Sequence, residues 1–221
     1  TSASDESELD GLSGRADAAE ATGHGGVRVV ATRHFAHADG TPFRPVGATV
    51  YNWLHQDEPL FGETVDALAE AGLNKLRFQV FPQAGGHVEH APRLLPFERD
   101  ADGRWDVARP SVAFFRRLDD AVLRLRAAGV QAEVLVFTAY DDGRFGLGDL
   151  TEDQDAAYLR YLVARLSAYD NVWWSLCNEF DLLPRPTERW TRMGELLAAV
   201  DPHDRLRSIH QWTRFYDHNQ P

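Results

Sequence analysis

Residues 171–181 read Asn-Val-Trp-Trp-Ser-Leu-Cys-Asn-Glu-Phe-Asp, and this stretch decides which fold the sequence predicts. Its first seven residues are mostly apolar and include a valine and two tryptophans. A short apolar run of this kind is typical of a strand that is buried on both faces, as in a parallel sheet. The run stops at the polar pair Asn178-Glu179, so a carboxyl group is predicted at the carboxyl end of a buried strand.

Strands and helices alternate along the rest of the chain. Strands are predicted at residues 45–50, 74–80, 130–137, 171–177 and 205–210, and helices at 62–71, 110–128, 151–169 and 190–200. A long loop through Gly85-Gly86 and Asp102-Gly103 is predicted between the second strand and the second helix. Gly72 and Gly129 end the first two helices, and Thr151 with Gln154 forms a capping box at the start of the third. This alternation predicts parallel strands joined by right-handed crossovers.

Two α/β architectures fit that order of elements. A doubly wound sheet would carry a glycine-rich phosphate loop after its first strand, whereas residues 49–55 read Thr-Val-Tyr-Asn-Trp-Leu-His. A TIM barrel needs no such loop and places its functional side chains at the carboxyl ends of its strands. We therefore predict a (β/α)8 TIM barrel, of which only about the first five β/α units are present. A complete barrel has eight units in about 250 residues.

The amino-terminal segments are predicted to lie outside the barrel strands. Residues 1–26 are rich in serine, alanine, glycine and acidic residues, which predicts a disordered tail or linker remnant. Residues 27–37 predict a β segment that leads into the turn at residues 39–42, a hairpin signal. Residues 27–221 as a whole are predicted to form the N-terminal part of a TIM-barrel catalytic domain.

Charge and composition narrow the classes of partner. The formal net charge is −11 and no basic run occurs, so no nucleic-acid partner is expected. No apolar stretch approaches the ~20 residues that span a bilayer, and the N-terminus lacks a signal-peptide pattern. We therefore expect a cytoplasmic protein with no membrane partner; the sequence is silent on oligomeric state. Cys177, the single cysteine, is either a small core residue or a nucleophile, and its apolar surroundings favour the core.

Glu179 is the candidate catalytic acid/base. Apolar neighbours raise the pKa of a carboxyl group and keep it protonated, so that it can donate a proton near neutral pH. Cleavage of a glycosidic bond needs such an acid together with a second carboxylate, which acts as nucleophile or base. The amide of Asn178 could bind a sugar hydroxyl. The alternative is that Glu179 forms a structural salt bridge with an arginine.

Residues at the other strand ends would line the same site as substrate-binding residues. These candidates are Tyr51 and Trp53 after the first strand, Arg77 in the second, Tyr140 and Asp141 after the third, and His210 and Trp212 at the end of the fifth. Tryptophan and tyrosine stack on sugar rings, although each is equally suited to core packing. Arg77 either orients a catalytic carboxylate or satisfies a core acid. His87 and His90 resemble a metal pair, but they fall in a predicted loop, so no metal or other cofactor is expected.

A set of short motifs runs through residues 34–216. They are His34-Phe35, Asp39-Gly40-Thr41-Pro42-Phe43, Tyr51-Asn52-Trp53, Phe81-Pro82, Tyr140-Asp141, Asn171-Val172-Trp173-Trp174-Ser175, Asn178-Glu179, Arg207-Ser208-Ile209-His210 and Phe215-Tyr216-Asp217. Together they resemble the apiosidase-like catalytic domain family of bacterial glycoside hydrolases, which is related to the clan A TIM barrels. The resemblance implies a (β/α)8 barrel, often preceded by a small β-sandwich domain.

The resemblance also implies a function and a mechanism. It implies a retaining-type carboxylate pair, with the acid/base after strand four and the nucleophile after strand seven. The acid/base position matches Glu179, and the nucleophile has no counterpart in this chain. Relatives often carry a histidine soon after strand three, where this sequence has Thr138. The implied protein is a glycoside hydrolase that acts on oligo- or polysaccharides and is inactive as this partial chain. The alternative is a non-catalytic carbohydrate-binding or structural partial barrel.

Overall fold

The computed structural model describes residues 23–83, 92–140 and 143–212, which form three sheets and four α-helices. In chain order the elements are β1 (Val27–Val30), β2 (His34–His37), β3 (Pro42–Phe43), β4 (Gly47–Thr49), α1 (Glu58–Glu70), β5 (Lys75–Gln79), β6 (Phe97–Arg99), β7 (Trp105–Pro110), α2 (Val112–Ala127), β8 (Gln131–Thr138), α3 (Glu152–Leu166), β9 (Val172–Asn178), α4 (Thr187–Val200) and β10 (Arg207–Ser208).

The main sheet is parallel and has the order β4-β5-β8-β9-β10. Along the chain, each new strand of this sheet is added on the same side of the previous one, so the strand order never reverses. A doubly wound sheet reverses its strand order at a switch point, whereas successive units of a TIM barrel follow one another in this way. The topology is therefore that of consecutive β/α units of a barrel.

The predicted helices and parallel strands are present, with shifted ends. Helix α1 begins at Glu58, four residues before the predicted start, since Pro59 is tolerated in the first turn of a helix. The capping box of α3 forms as predicted: the Thr151 side chain accepts from the Gln154 amide, and the Gln154 side chain accepts from the Thr151 amide. β10 covers only two residues of the predicted strand 205–210.

A hairpin replaces part of the long loop predicted between the second strand and the second helix. Strands β6 and β7 pair antiparallel around a turn in which Gly103 has a φ of 79° and the Asp100 carboxylate accepts two backbone amides. Phe97 and Val107 bury their side chains in the main core. The prediction of an unstructured loop was wrong here, because it gave weight to the glycines and not to the alternating pattern beside them.

The amino-terminal strands form a small antiparallel sheet, β1-β2-β3, at the start of β9. Val27, Phe35 and Phe43 pack around Trp173, and the two phenylalanine rings lie 5.6 and 5.9 Å from its indole. Trp173 is the second residue of β9, so this sheet covers the amino-terminal end of the barrel strands. The predicted hairpin turn at residues 39–42 is confirmed between β2 and β3, whereas the predicted β segment at residues 27–37 is divided into β1 and β2 by a turn at which Ala31 and Thr32 have positive φ.

The predicted tail, residues 1–26, adjoins the small sheet at its last residues. Residues 1–22 lie outside the described residues. His24, which the prediction placed in the tail, contacts the Asp39 carboxylate at 2.7 Å and so adjoins the turn between β2 and β3. No helix within residues 23–83, 92–140 or 143–212 has the length and apolar character needed to cross a membrane.

Two glycine-to-alanine changes are expected to shift stability in opposite directions. A Cβ at Gly47 would lie 2.4 Å from the Lys75 carbonyl oxygen on the neighbouring strand, so Gly47→Ala should cost about 1–3 kcal/mol. Gly62 lies within α1, where a Cβ would meet Arg124 at an ordinary 3.8 Å, so Gly62→Ala should add about 0.5–1 kcal/mol. Urea unfolding of both variants measures the difference, and a Gly47→Ala variant as stable as wild type would contradict this packing.

Candidate functional site

Glu179 follows the last residue of β9 in an uncommon backbone conformation. Its φ and ψ are both 53°, in the left-handed region that costs a residue with a side chain about 1 kcal/mol or more. The conformation turns the chain out of the buried strand into a short 3-10 turn at Phe180–Leu182. As a result the half-buried carboxyl of Glu179 lies at the carboxyl end of the sheet.

A chain of hydrogen bonds links Glu179 to three strand ends. The Tyr140 hydroxyl, just after β8, donates to Oε2 of Glu179. Nδ2 of Asn178 donates to the Tyr140 oxygen over 2.8 Å, and the Tyr51 hydroxyl, just after β4, lies 3.5 Å from Oδ1 of Asn178. Burial, and then the contact with Glu179, raise the pKa of Tyr140 above its ordinary value, so that its hydroxyl stays protonated at neutral pH.

The strand register explains why Tyr140 meets Glu179. Thr138 pairs with Asn178 across β8 and β9, so the residues that follow both strands leave the sheet at the same level. The Thr138 hydroxyl accepts the Tyr140 amide over 3.2 Å and fixes the turn that carries the tyrosine. No ion pair to Glu179 occurs within the described ranges.

The predicted residues after the fifth strand are joined to the Glu179 turn through the backbone. The His210 amide donates to the Cys177 carbonyl over 3.1 Å, and the Phe180 amide donates to the His210 carbonyl over 3.0 Å. The Trp212 amide donates to the Asp181 carboxylate over 2.8 Å. His210 is exposed, as is 59% of Trp212, and the backbone hydrogen bonds place both residues next to the turn that carries Glu179.

Asn178 has two protein partners in the site. Its side chain is fully buried, and its amide is engaged by Tyr51 on one atom and Tyr140 on the other. The buried Asn178 amide therefore orients the hydroxyl groups of the two tyrosines, and other residues form the exposed surface of the site. The predicted contact of Asn178 with a sugar hydroxyl stays a prediction beside these two tyrosine contacts.

Arg77 satisfies a core acid, which was one of the two predicted roles. Its Nε lies 3.1 Å from Oε1 of Glu133, a buried carboxylate on β8 that Lys75 also contacts. Nη2 of Arg77 lies 3.4 Å from the Ser175 hydroxyl. Ser175 precedes Glu179 by four residues, or roughly 13 Å of extended strand. The structure thus places Arg77 inside the sheet and not beside Glu179.

Trp53 is a core residue, so its predicted role as a sugar platform is wrong. Its side chain is fully buried, stacks on Phe61 at 4.7 Å and donates its indole N–H to the Phe61 carbonyl over 3.0 Å. A 3-10 turn at Trp53–His55 directs the indole towards α1. No signal in the sequence separates this tryptophan from a ligand-binding one, because both follow a strand end.

The other residues that the sequence analysis considered make no described side-chain contact with Glu179. Asp141, His87 and His90 lie outside the described residues. Among the residues that the structure describes, no group of three His, Cys, Asp or Glu side chains could hold a metal ion. Cys177 is buried, and this burial raises the pKa of its thiol, which supports the interpretation as a core residue and not as a nucleophile.

A buried ion cluster that the sequence analysis missed supports the two site loops. Asp155, at the start of α3, accepts from Arg185 over 3.0 Å and from Nε of Arg189 over 2.8 Å. Arg185 also donates to the Leu147 carbonyl and lies 5.1 Å from the Phe137 ring. The cluster therefore ties the loop after β8, which begins near Tyr140, to the loop after β9, which begins at Glu179. Such pairs depend on tertiary contacts that periodicity does not reveal.

The parallel sheet, with its strands in chain order and Glu179 just after β9, is that of a partial TIM barrel with a carboxyl group where such barrels carry their functional side chains. The chain belongs to the apiosidase-like family: residues 30–221 match the family described as "Apiosidase-like, catalytic domain". A search of curated proteins gives no match.

Solved structures show the same fold. A candidate glycoside hydrolase from Bacteroides vulgatus ATCC 8482 is 35% identical with a TM-score of 0.82, and the match covers 88% of this chain and 40% of that one. A glycoside hydrolase family 5 protein from the same organism is 17% identical, with a TM-score of 0.64 and coverages of 85% and 40%. An endo-1,4-β-mannanase from Rhizomucor miehei is 13% identical, with a TM-score of 0.65 and coverages of 89% and 63%. This chain thus spans about two fifths of the two Bacteroides structures.

Proposed function

We propose that the protein is a glycoside hydrolase that cleaves O-glycosidic bonds of oligo- or polysaccharides and uses Glu179 as its general acid/base. The observation that carries this proposal is the placement of the Glu179 carboxyl. It lies at the carboxyl end of a buried strand, in a left-handed conformation, held by a tyrosine and paired with no cation among the described residues. Family membership and the likeness to other glycoside hydrolases support the same assignment.

In the proposed reaction Glu179 first acts as an acid and then as a base. Protonated Glu179 transfers its proton to the glycosidic oxygen while a second carboxylate attacks the anomeric carbon, and the leaving group departs as an alcohol. Ionised Glu179 then takes a proton from water, which hydrolyses the glycosyl-enzyme. We propose that the second carboxylate comes from outside these 221 residues. We further propose a retaining outcome, because the family pattern places that carboxylate after strand seven.

Four side chains near Glu179 are proposed to face the sugar. Tyr51 and Tyr140 are half-buried beside the carboxyl, and His210 and Trp212 are exposed on the neighbouring strand end. The exposed face of the Trp212 indole is suited to stacking on a sugar ring, and the tyrosine hydroxyls can also accept hydrogen bonds from sugar hydroxyls. No cofactor is needed for this chemistry.

The stereochemistry of the product tests the proposed mechanism. We expect the full-length protein to hydrolyse a glycoside from a panel of plant-type and other oligosaccharides with retention, so that the anomer formed first has the configuration of the substrate. Proton NMR during the first minutes of reaction, before mutarotation, measures this outcome. First formation of the opposite anomer would contradict the retaining mechanism. Saturable binding of an oligosaccharide without any hydrolysis would favour the rival function, a non-catalytic carbohydrate-binding protein.

A further inference from the structure

The hydrogen bonds around Glu179 have only one direction that is compatible with an ionised carboxylate. A carboxylate accepts hydrogen bonds and cannot donate them, so Tyr140 must donate its single hydroxyl proton to Oε2. The Tyr140 oxygen must then accept from Asn178, which requires Nδ2 on that side, as observed at 2.8 Å. This leaves Oδ1 of Asn178 for the Tyr51 hydroxyl, which lies 3.5 Å away.

Protonation of Glu179 can preserve this arrangement at one oxygen only. A proton on Oε2 that pointed at Tyr140 would oppose the proton of the tyrosine, so the tyrosine hydroxyl would have to turn its own proton away from Glu179, although its oxygen could accept from Oε2 and from the Asn178 amide together. The turned proton would lose its acceptor, because the partners of the Tyr140 hydroxyl in the described residues are the Glu179 carboxyl and Nδ2 of Asn178, which is itself a donor. A proton on Oε1 changes none of these bonds, and Oε1 has no hydrogen-bond partner within the described residues.

We propose that Tyr140 is a positioning residue that holds Oε2 of Glu179 as a hydrogen-bond acceptor, so that the proton transferred in catalysis is carried by Oε1. The inference rests on the proposed function for its catalytic meaning, although the hydrogen-bond geometry stands without it. Tyr140 is suited to the task because burial raises its pKa and keeps it a donor over the whole range in which a carboxyl titrates. The scissile oxygen would then approach Glu179 on its Oε1 side.

Other ionisable groups lie on the elements around Glu179 and define the controls. They include Tyr51 after β4, Cys177 on β9, Asp181 in the 3-10 turn and His210 after β10. Of these, Tyr51 is joined to Glu179 only through Asn178 and Tyr140. Tyr51→Phe is therefore the matched control: it removes one tyrosine hydroxyl from the same chain of bonds but leaves the Tyr140–Glu179 bond in place.

The direct test is an NMR titration of the Glu179 carboxyl in the full-length protein. Carboxyl carbons of glutamate are labelled with ¹³C, and the Glu179 signal is assigned by its loss in Glu179→Gln. Removing a donor to the ionised form favours protonation, so the midpoint measured for Tyr140→Phe should lie above that of the wild type. Tyr51→Phe should raise it by clearly less. A lower midpoint in Tyr140→Phe would mean that Glu179 donates to Tyr140, which overturns the proposal, and so would an unchanged midpoint.

A second substitution keeps the test decisive if Tyr140→Phe does not fold. Tyr140→3-fluorotyrosine retains the shape of the side chain and makes its hydroxyl a stronger donor, so the midpoint should fall instead of rise. A rise would contradict the proposal. Because the titration requires no turnover, these results are separate from the proposed function. If the midpoints shift as expected but no glycoside is hydrolysed, the hydrogen-bond inference stands and the assignment as a hydrolase fails.

Discussion

Glu179→Gln is expected to lower kcat of the full-length protein on unactivated glycosides by about 10²–10⁴-fold, the usual contribution of a general acid/base. Glutamine keeps the size of the side chain and still offers a carbonyl oxygen to the Tyr140 hydroxyl. It cannot transfer a proton to the glycosidic oxygen, however, so chemistry is lost while the site remains assembled. Steady-state kinetics on the best oligosaccharide substrate, with KM determined separately, measures the effect.

The matched control changes a glutamate away from the site. Glu195 lies exposed on α4, so Glu195→Gln removes the same charge without touching the strand ends and should leave kcat within twofold of wild type. Retention of more than about a tenth of the wild-type kcat by Glu179→Gln would exclude Glu179 as the acid/base. Equal losses in the two variants would point to an effect of overall charge.

Asp155→Asn is expected to destabilise the protein by about 3–5 kcal/mol, because it leaves a buried arginine without its counter-ion. The Arg185 side chain has no exposed surface and Asp155 is 1% exposed, so water cannot replace the lost charge. Burial raises the pKa of Asp155 above its ordinary value even though two arginines oppose this effect. Urea unfolding of the full-length protein, fitted with a common slope, gives the change in unfolding free energy.

A surface ion pair between the same two helices supplies the control for Asp155→Asn. Glu152 of α3 accepts from Nε of Arg192 of α4 over 3.0 Å, and both side chains are more than half exposed. Exposed pairs of this kind contribute little to stability, so Glu152→Gln should leave the unfolding midpoint nearly unchanged. If Asp155→Asn were as mild as Glu152→Gln, the buried cluster would not be what holds the two site loops together.

The fold was largely predictable from the sequence because its central strands are unusually apolar. Residues 130–137 and 171–177 are short apolar runs between helices with clear apolar faces, and such patterns depend only on local composition. The β6–β7 hairpin was missed because the prediction weighed the turn residues Asp102-Gly103 as loop and overlooked the alternation after them. The shortened β10 was also unpredicted, since the extent of a strand depends on pairing with its neighbours.

Only the site residues that directly follow predicted strands could be identified from the sequence, and their contacts with one another could not. Glu179 follows from the end of β9, and Tyr140 follows from the end of β8, but their contact depends on the register that pairs Thr138 with Asn178. Register is a property of two strands together and cannot be read from either alone. The same holds for Arg77, whose partner Glu133 lies directly opposite it on β8. Trp53 was assigned wrongly for another reason: an aromatic residue that follows a strand can face either a ligand or the core, and the sequence does not distinguish the two.

The leaving-group dependence of hydrolysis tests most directly whether Glu179 is the acid catalyst. The measurement compares kcat/KM of wild type and Glu179→Gln on two glycosides of the same sugar, one with a dinitrophenyl leaving group and one with an alkyl leaving group. A dinitrophenolate departs without protonation, whereas an alkoxide requires it. Our account predicts a loss of about 10²-fold or more on the alkyl glycoside and a much smaller loss on the dinitrophenyl glycoside. Equal losses on both substrates, or no loss on either, would contradict it.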